Sequence, residues 1–283
     1  MTTFLRDLLL GSQPSSRSGF GRRLPSGSNR RPQLRYTAVK LRHKLRKLIT
    51  REPYESIVEH ALRALHPVPA QPFLEGLDQG EWSRLREEYP HRPGARRINR
   101  YDDFNYWIGI NIERAQDLWL DRSPPLRILD LGSGAGYFLH VCNRLGHHAT
   151  GLDIDDEPLF RGTTKLLGVE RILHRIEPLT PLPTLGKFDL ITAHRICFNR
   201  LGRNEAGEWN EWSVQEWKYF LDDVRANLLN SGGRVVLDFL TRPDGHSFFT
   251  LELREFFRSQ GDRIFRSRVV LGVDPAVAPR FRR

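Results

Sequence analysis

From residue 126 onward, short apolar runs alternate with segments of helical periodicity. Five runs have the length and composition of buried strands: LRILDL (126–131), ATGLDI (149–154), RILHRI (171–176), FDLITA (188–193) and RVVLDF (234–239). Strands that alternate with helices form right-handed βαβ units. The pattern therefore predicts an α/β fold with a doubly wound, mostly parallel sheet.

The intervening segments predict helices over residues 137–145 and 158–167, and an earlier one over about 103–120. A further helix is predicted to begin at Ser213, because Glu216 stands three residues later as in a capping box. Gly232 and Gly233 are expected to stop that helix before the fifth strand.

The segment LDLGSGAGYF (129–138) places three glycines between the first strand and the next helix. Ligands bind at the carboxyl ends of strands in such folds, and missing side chains let them approach the backbone. The dinucleotide fingerprint G-x-G-x-x-G would require a third glycine where Tyr137 stands. The observed G-x-G-x-G spacing, preceded by Asp130, argues against NAD.

Four segments, in this order, resemble the class I S-adenosylmethionine-dependent methyltransferases: ILDLGSGAGYF, GLDID, FDLITA and LLNSGGRVVLDF. The resemblance covers roughly residues 126–240 and speaks to the cofactor more than to the acceptor. It implies a Rossmann-like domain, methyltransferase activity and S-adenosyl-L-methionine as the cofactor.

The resemblance implies that the first strand and its turn hold the methionyl part of the cofactor. Asp130 would face the ammonium group, directly or through water. Room for the ligand would come from Gly132, Ser133, Gly134 and Gly136. The alternative for these glycines is tight packing of the turn alone.

At the second strand end, Asp153 follows Gly132 by 21 residues and would accept from both ribose hydroxyls. Its neighbour Ile154 would lie against the adenine. Ile176 or Glu177, after the third strand, would contact the adenine edge. The alternative role for Asp153 is to cap the next helix, which is also the role expected of Asp155 and Asp156.

Residues after the fourth strand face the transferred methyl group in this family, and His194 is the candidate general base among them. A histidine that is only hydrogen-bonded beneath the cofactor is the open alternative. Cys197 is interpreted as a small buried residue and Arg195 as a surface charge. Trp209 and Trp212 either form a lid over the acceptor or anchor the following helix.

The excess of positive charge lies at the start of the chain. Residues 1–50 carry 12 Lys/Arg and one acidic residue, within a net charge of +10 for the whole chain. We predict a disordered basic arm over residues 1–36, a helical extension over 37–120 and the cofactor-binding domain over 121–283. Contact of residues 1–50 with nucleic acid or an anionic membrane is one interpretation of this charge; arginine-rich genome composition is the other.

Two cysteines, no zinc-ligand spacing and no membrane-spanning run favour a cytoplasmic protein without a metal site. The tail after residue 250 offers strand character only in GDRIFRSRVVLGV, so the sequence leaves a seventh strand open. The leading function is methyl transfer to a small-molecule or lipid- or sugar-linked acceptor. The alternatives are RNA methylation and a catalytically inactive cofactor-binding regulator.

Overall fold

The computed structural model describes residue 57 and residues 60–61, 63–90, 101–240, 248–260, 263–265 and 267–272. Nine strands occur in these ranges: β1 (Arg127–Leu131), β2 (His148–Asp153), β3 (Glu170–Leu173), β4 (Phe188–Ile196), β5 (Arg200–Arg203), β6 (Trp209–Glu211), β7 (Leu229–Phe239), β8 (Arg263–Phe265) and β9 (Arg268–Leu271). Seven of them form one sheet in the order β3-β2-β1-β4-β7-β9-β8. The first five strands of this order are parallel, whereas β9 is antiparallel to both β7 and β8. The predicted doubly wound, mostly parallel sheet is confirmed.

Seven α-helices have both of their ends among the described residues: α1 (Gln71–Leu74), α2 (Gln79–Glu88), α3 (Phe104–Asp117), α4 (Tyr137–Arg144), α5 (Pro158–Leu166), α6 (Val214–Asp223) and α7 (Leu251–Ser259). The start of α6 has the predicted capping box, in which Ser213 and Glu216 each accept from the other's backbone amide. None of the described helices combines the length and the apolar character that a membrane span requires.

The two faces of the sheet bury different cores because successive strand residues point to opposite sides. Ile128 and Leu190 belong to the core beneath α3 and α4. Leu129 and Ile191 belong to the core beneath α6 and α7. The parity of a residue along β1 or β4 therefore decides which helices cover its side chain.

The helices that precede β1 pack on the first of these two cores. Phe104 and Trp107 of α3 are buried, and both rings contact Tyr137 at the start of α4. The Tyr137 hydroxyl donates to the carbonyl of Tyr101. Residues 52–283 form one compact unit, and the proposed arm (1–36) and the start of the extension lie outside the described residues.

Two predicted element boundaries are wrong. Strand β3 ends at Leu173, three residues early, because the chain leaves the sheet toward Pro178, Pro181 and Pro183. The helix from Ser213 ends at Asp223 and passes through a π-helical turn (Val224–Leu228) directly into β7. Gly232 and Gly233 therefore lie inside β7, where the pairing with β4 shifts register.

The tail supplies more strand than the sequence indicated. The segment from residue 263 to residue 271 folds into a hairpin, β8–β9, and β9 pairs along β7. The seventh strand, which the sequence left open, is therefore present. It covers the edge that β7 would otherwise expose.

Candidate active site

The glycine loop connects β1 to α4 at the carboxyl edge of the sheet. Gly132, Gly134 and Gly136 all have positive φ angles, of 73°, 55° and 80°. Side chains rarely tolerate this conformation, which explains why glycine recurs at every second position. The Gly132 amide donates to the Leu152 carbonyl at 2.7 Å and so holds the loop against β2.

The first and last glycines of the loop face different surroundings. A Cβ atom on Gly136 would lie 2.7 Å from Val169 Cγ2 and 2.9 Å from Thr164 Cγ2, so Gly136 is required for packing. A Cβ atom on Gly132 would meet nothing within 4 Å. The space above Gly132 is open and fits a ligand that lies directly on the backbone.

Asp153 ends β2 and reaches back toward the glycine loop. Its Oδ1 accepts from the Ile154 amide at 2.7 Å, and its Oδ2 accepts from the Gly134 amide. Burial raises the pKa of Asp153, and the two amides act in the opposite direction. Each oxygen keeps a second lone pair, so the carboxylate can still accept from the two hydroxyls of a ribose.

The predicted capping role of Asp155 and Asp156 is wrong, and Asp153 does not cap the next helix either. The cap of α5 is Glu157, whose carboxylate accepts from the Leu159 amide. Asp155 forms ion pairs with Arg161 and Arg171 instead.

Asp130 is buried beside the loop. Thr192 of β4 donates its hydroxyl to Asp130 Oδ1 at 2.7 Å. Burial raises the pKa of this carboxyl, and the Thr192 hydrogen bond and the Arg114 charge oppose that rise. A carboxylate in these surroundings fits the cationic ammonium end of a ligand placed over Gly132.

The remaining predicted cofactor residues lie in three different environments. The Ser133 hydroxyl is buried next to Gly151 and has no hydrogen-bond partner among the described residues. Ile154 is half-buried, Ile176 is buried in the core beneath α6, and Glu177 is exposed. Since β3 stops at Leu173, Ile176 and Glu177 follow the strand by several residues rather than ending it.

His194 lies near the carboxyl end of β4, two residues beyond Thr192. Its Nδ1 is 3.1 Å from Asp238 Oδ2 on β7, and its ring meets Phe138 edge-on at 4.6 Å between centroids. The Nε2 atom is buried and has no hydrogen-bond partner among the described residues. If Nδ1 carries the proton that Asp238 accepts, Nε2 presents a lone pair.

Asp238 is held in turn by Arg268 of β9. The guanidinium Nε donates to Asp238 Oδ1 at 2.9 Å, and Nη2 lies 3.4 Å from Oδ2. Burial alone would raise the pKa of Asp238, but the His194 hydrogen bond and the Arg268 charge hold it well below its usual range. We call the row Asp130, Thr192, His194, Asp238 and Arg268, which crosses β1, β4, β7 and β9, the polar row.

Helix α3 covers the polar row and contributes charged groups to it. Asp117 lies 3.6 Å from Arg268 and 2.8 Å from Arg63. Arg114 donates to Asn111 at 2.9 Å, and burial lowers the pKa of Arg114 while the charges of Asp130 and Asp238 raise it. The helical extension therefore takes part in the electrostatics of the site.

Sequence reasoning missed Asp238, Arg268 and Arg114. A signal existed for Asp238, since a carboxylate inside the apolar run RVVLDF demands a buried partner. Arg268 gave no signal, because the sequence left open whether its strand joins the sheet.

The segment after His194 departs from the expectations in one place. Arg195 has a positive φ of 57°, at a point where β4 and β7 shift register. Cys197 is exposed, so its interpretation as a small buried residue is wrong. Asn199 is fully buried, and its side-chain amide has no partner among the described residues.

The two tryptophans belong to the β5–β6 hairpin between β4 and α6. Trp212 is buried and packs against Trp217 and Phe220 of α6, which is the anchoring alternative. Trp209 is half-buried against Phe248, with the Arg203 guanidinium over its ring.

Comparison with known proteins identifies the central part of the chain. A family model described as a methyltransferase domain matches residues 129–201, which run from the glycine loop through His194. No curated protein sequence matches the chain.

Several solved structures are similar to the described part of the chain. DesVI of Streptomyces venezuelae has 15% identity over 62% of this chain and 98% of its own, with a TM-score of 0.41. CalS10, an amino pentose methyltransferase from Micromonospora echinaspora, has 22% identity over 49% and 53%, with a TM-score of 0.36. The ribosomal protein L11 methylase of Lactobacillus delbrueckii has 20% identity over 60% and 77%, with a TM-score of 0.34. None of these similarities is close enough to carry a substrate over to this chain.

The family match begins in β1 and covers the glycine loop, Asp153 and His194, within the mostly parallel sheet. The open space at Gly132 and the carboxylates on either side of it fit the cofactor that this family uses. Residues 129–201 therefore match a methyltransferase domain, which supports methyl transfer from S-adenosylmethionine as the activity of this part of the chain.

Proposed function

We propose that the enzyme methylates a hydroxyl group of a small-molecule or lipid- or sugar-linked acceptor, with His194 as the general base. The observation that carries this proposal is the His194–Asp238 hydrogen bond of 3.1 Å, which leaves Nε2 buried and without a partner among the described residues.

The acceptor class follows from what a base contributes. S-adenosylmethionine supplies a methyl group already activated by its sulfonium, so alignment of the acceptor is the main requirement. A base is needed when the acceptor atom must lose a proton during transfer, as a hydroxyl oxygen does. A histidine with a free ring nitrogen near the methyl-transfer position therefore favours a hydroxyl acceptor.

In the proposed reaction, His194 Nε2 accepts the hydroxyl proton while the acceptor oxygen bonds to the methyl carbon and the carbon–sulfur bond breaks. Asp238 accepts from Nδ1 throughout, which holds the ring and its tautomer. We assign the cofactor contacts to Asp130, Asp153 and the glycine loop, with Ile154 and either Ile176 or Glu177 toward the adenine.

The sequence at the end of β4 argues against the amino groups of adenine and glutamine as acceptors. Enzymes that methylate adenine or glutamine amino groups carry an Asn-Pro-Pro-aromatic run at this place. This chain has AHRICFNR instead (193–200), which contains neither that run nor a Pro-Cys nucleophile.

The test is the substitution His194→Gln, which removes the basic nitrogen. Transfer of labelled methyl from S-adenosylmethionine into fractionated cell extract should fall by about 10²-fold or more. The affinity for S-adenosylhomocysteine, measured by calorimetry, should stay nearly unchanged. The matched control is His148→Gln. His148 is exposed and begins β2, at the end opposite to Asp153, so this variant should retain full activity.

Three outcomes would contradict the proposal. Full turnover by His194→Gln would remove His194 as the base. Label recovered in RNA would replace the small-molecule acceptor by nucleic acid. If the unaltered protein binds S-adenosylhomocysteine tightly but transfers no label into any fraction, it would be an inactive regulator.

A further inference from the structure

We propose that Arg268 is a positioning residue that keeps His194 neutral, by neutralising the Asp238 carboxylate on which the imidazole rests. This inference rests on the proposed role of His194 and extends it to the carboxyl-terminal hairpin. It assigns to β9 a part in the reaction that the family match, which ends at residue 201, does not reach.

The geometry divides the Asp238 carboxylate between two partners. Oδ2 faces His194 Nδ1, and Oδ1 accepts from Arg268 Nε at 2.9 Å. The side chains of His194, Asp238 and Arg268 are 6%, 20% and 19% exposed. Water therefore screens these charges only in part.

A buried carboxylate beside an imidazole favours the protonated, cationic ring, because the two charges attract. A protonated His194 has no lone pair on Nε2 and cannot accept a proton from a hydroxyl. The guanidinium cancels the carboxylate charge while leaving Oδ2 able to accept from Nδ1. Asp238 thus orients the imidazole without favouring its protonated form.

The charges beyond Arg268 alternate in sign. Arg268 lies 3.6 Å from Asp117, and Asp117 lies 2.8 Å from Arg63. Glu113 also lies 3.9 Å from Arg63, but its side chain is 64% exposed and water screens its charge. The better buried groups Arg63, Asp117, Arg268 and Asp238 form two opposite-charge pairs. Burial raises the pKa of Asp117, and the two arginines oppose that rise.

Two further charged groups belong to the surroundings of the polar row, and Arg195 follows His194 in sequence. Asp130 of β1 interacts with His194, and Arg114 of α3 interacts with both Asp130 and Asp238. Asp130 and Arg114 carry opposite charges and remain unchanged in the variants below. A change caused by Arg268 can therefore be separated from their effect.

The experiment follows the protonation of His194 in the full-length protein with S-adenosylhomocysteine bound. The ¹⁵N-imidazole signals are recorded against pH and assigned by their loss in His194→Gln. In Arg268→Gln, the midpoint of the His194 titration should rise by about one pH unit or more, since Asp238 is then uncompensated. In Asp238→Asn, it should fall by about the same amount, since the attracting charge is gone.

Two controls separate positioning from general damage. Arg268→Lys keeps the cation and should restore a midpoint near that of the unaltered protein. Arg225→Gln removes a partly exposed charge that pairs with Asp222 at the end of α6, outside the polar row, and should leave the titration unchanged.

A midpoint in Arg268→Gln that equals or lies below that of the unaltered protein would overturn the inference. If Arg268→Gln does not fold, Asp238→Asn decides, because an unchanged midpoint there would show that His194 does not respond to the carboxylate. The titration needs no turnover. A failure of the proposed base role would instead appear as activity retained by His194→Gln.

Discussion

The two halves of the candidate site are built in different ways. At the β1–β2 edge, polar groups bind backbone amides, and the loop, Asp153 and Ile154 all lie within residues 129–154. In the polar row, side chains bind side chains, and His194 and Arg268 reach Asp238 across 44 and 30 residues of sequence. The first half depends on local chain geometry, whereas the second depends on the order of strands in the sheet.

This difference separates binding from chemistry. The loop half has the open space and the carboxylates that suit the cofactor. The polar row has the imidazole and the groups that set its charge. Substitutions in the two halves should therefore change different measured quantities. Experiments can test whether the two halves differ in this way.

The largest effect is expected inside the loop half, from Gly136→Ala. The new methyl group would clash with Val169 and Thr164 at a positive φ, so the free energy of unfolding should fall by about 2 to 5 kcal/mol. Gly132→Ala is the matched control: it carries backbone strain but no clash, so it should lose less stability and more S-adenosylhomocysteine affinity. Denaturant unfolding and calorimetry measure both, and equal stability losses would show that the two glycines do not differ in role.

The next effect concerns cofactor affinity. Asp153→Ala should weaken S-adenosylhomocysteine binding by about 1 to 3 kcal/mol, because hydrogen bonds to a charged acceptor are lost. Asp155→Ala should bind normally, since Asp155 is engaged by Arg161 and Arg171. Calorimetry on both variants checks this. Unchanged binding by Asp153→Ala would remove that residue from the site, and a preference for NAD would contradict the cofactor itself.

The smallest effect concerns Asp130, which stands where the two halves meet. Burial raises its pKa, so the stability it contributes is complete below the ordinary value of about 3.9 and is lost as pH rises through the raised pKa. The unfolding temperature of Asp130→Asn, compared with that of the unaltered protein, should therefore be roughly 2 to 4 °C more favourable at pH 7 than at pH 4. The cofactor affinity of the variant should fall.

Asp238→Asn provides the opposite sign. The pKa of Asp238 is lowered, so its contribution to stability is present above about pH 3.9 and is lost as pH falls through the lowered pKa. This variant should be less stable than the unaltered protein at pH 7. Thermal unfolding at several pH values compares the two, and shifts of the same sign would contradict the assigned environments.

The features that could be predicted from the sequence are those that a local pattern of residues determines. The strand β1, the glycine loop and the capping box at Ser213 all depend on residues a few positions apart, and each is found. The end of β3 was missed because a proline-rich exit, not the apolar run, decides where that strand stops. The site residues Asp153 and Ile154 follow from the same local logic, and their roles stay predictions.

Arg268 and Arg114 could not be predicted in this way. Each becomes relevant only when the hairpin pairs with β7 or when α3 covers the polar row. Short strands such as β8 and β9 carry little periodicity, and their stability comes from the neighbour they pair with. The pairing, and with it the partner of Asp238, is a property of the assembled sheet.

The position of β9 in the chain also sets an order in time. Ribosomes release the glycine loop and β2 long before the hairpin, so a nascent chain contains its cofactor-binding elements before the strand that steadies Asp238. If Arg268 sets the charge of His194, the growing polypeptide acquires binding first and chemistry last. Translation of β9 would then be the event that turns a binder into a catalyst.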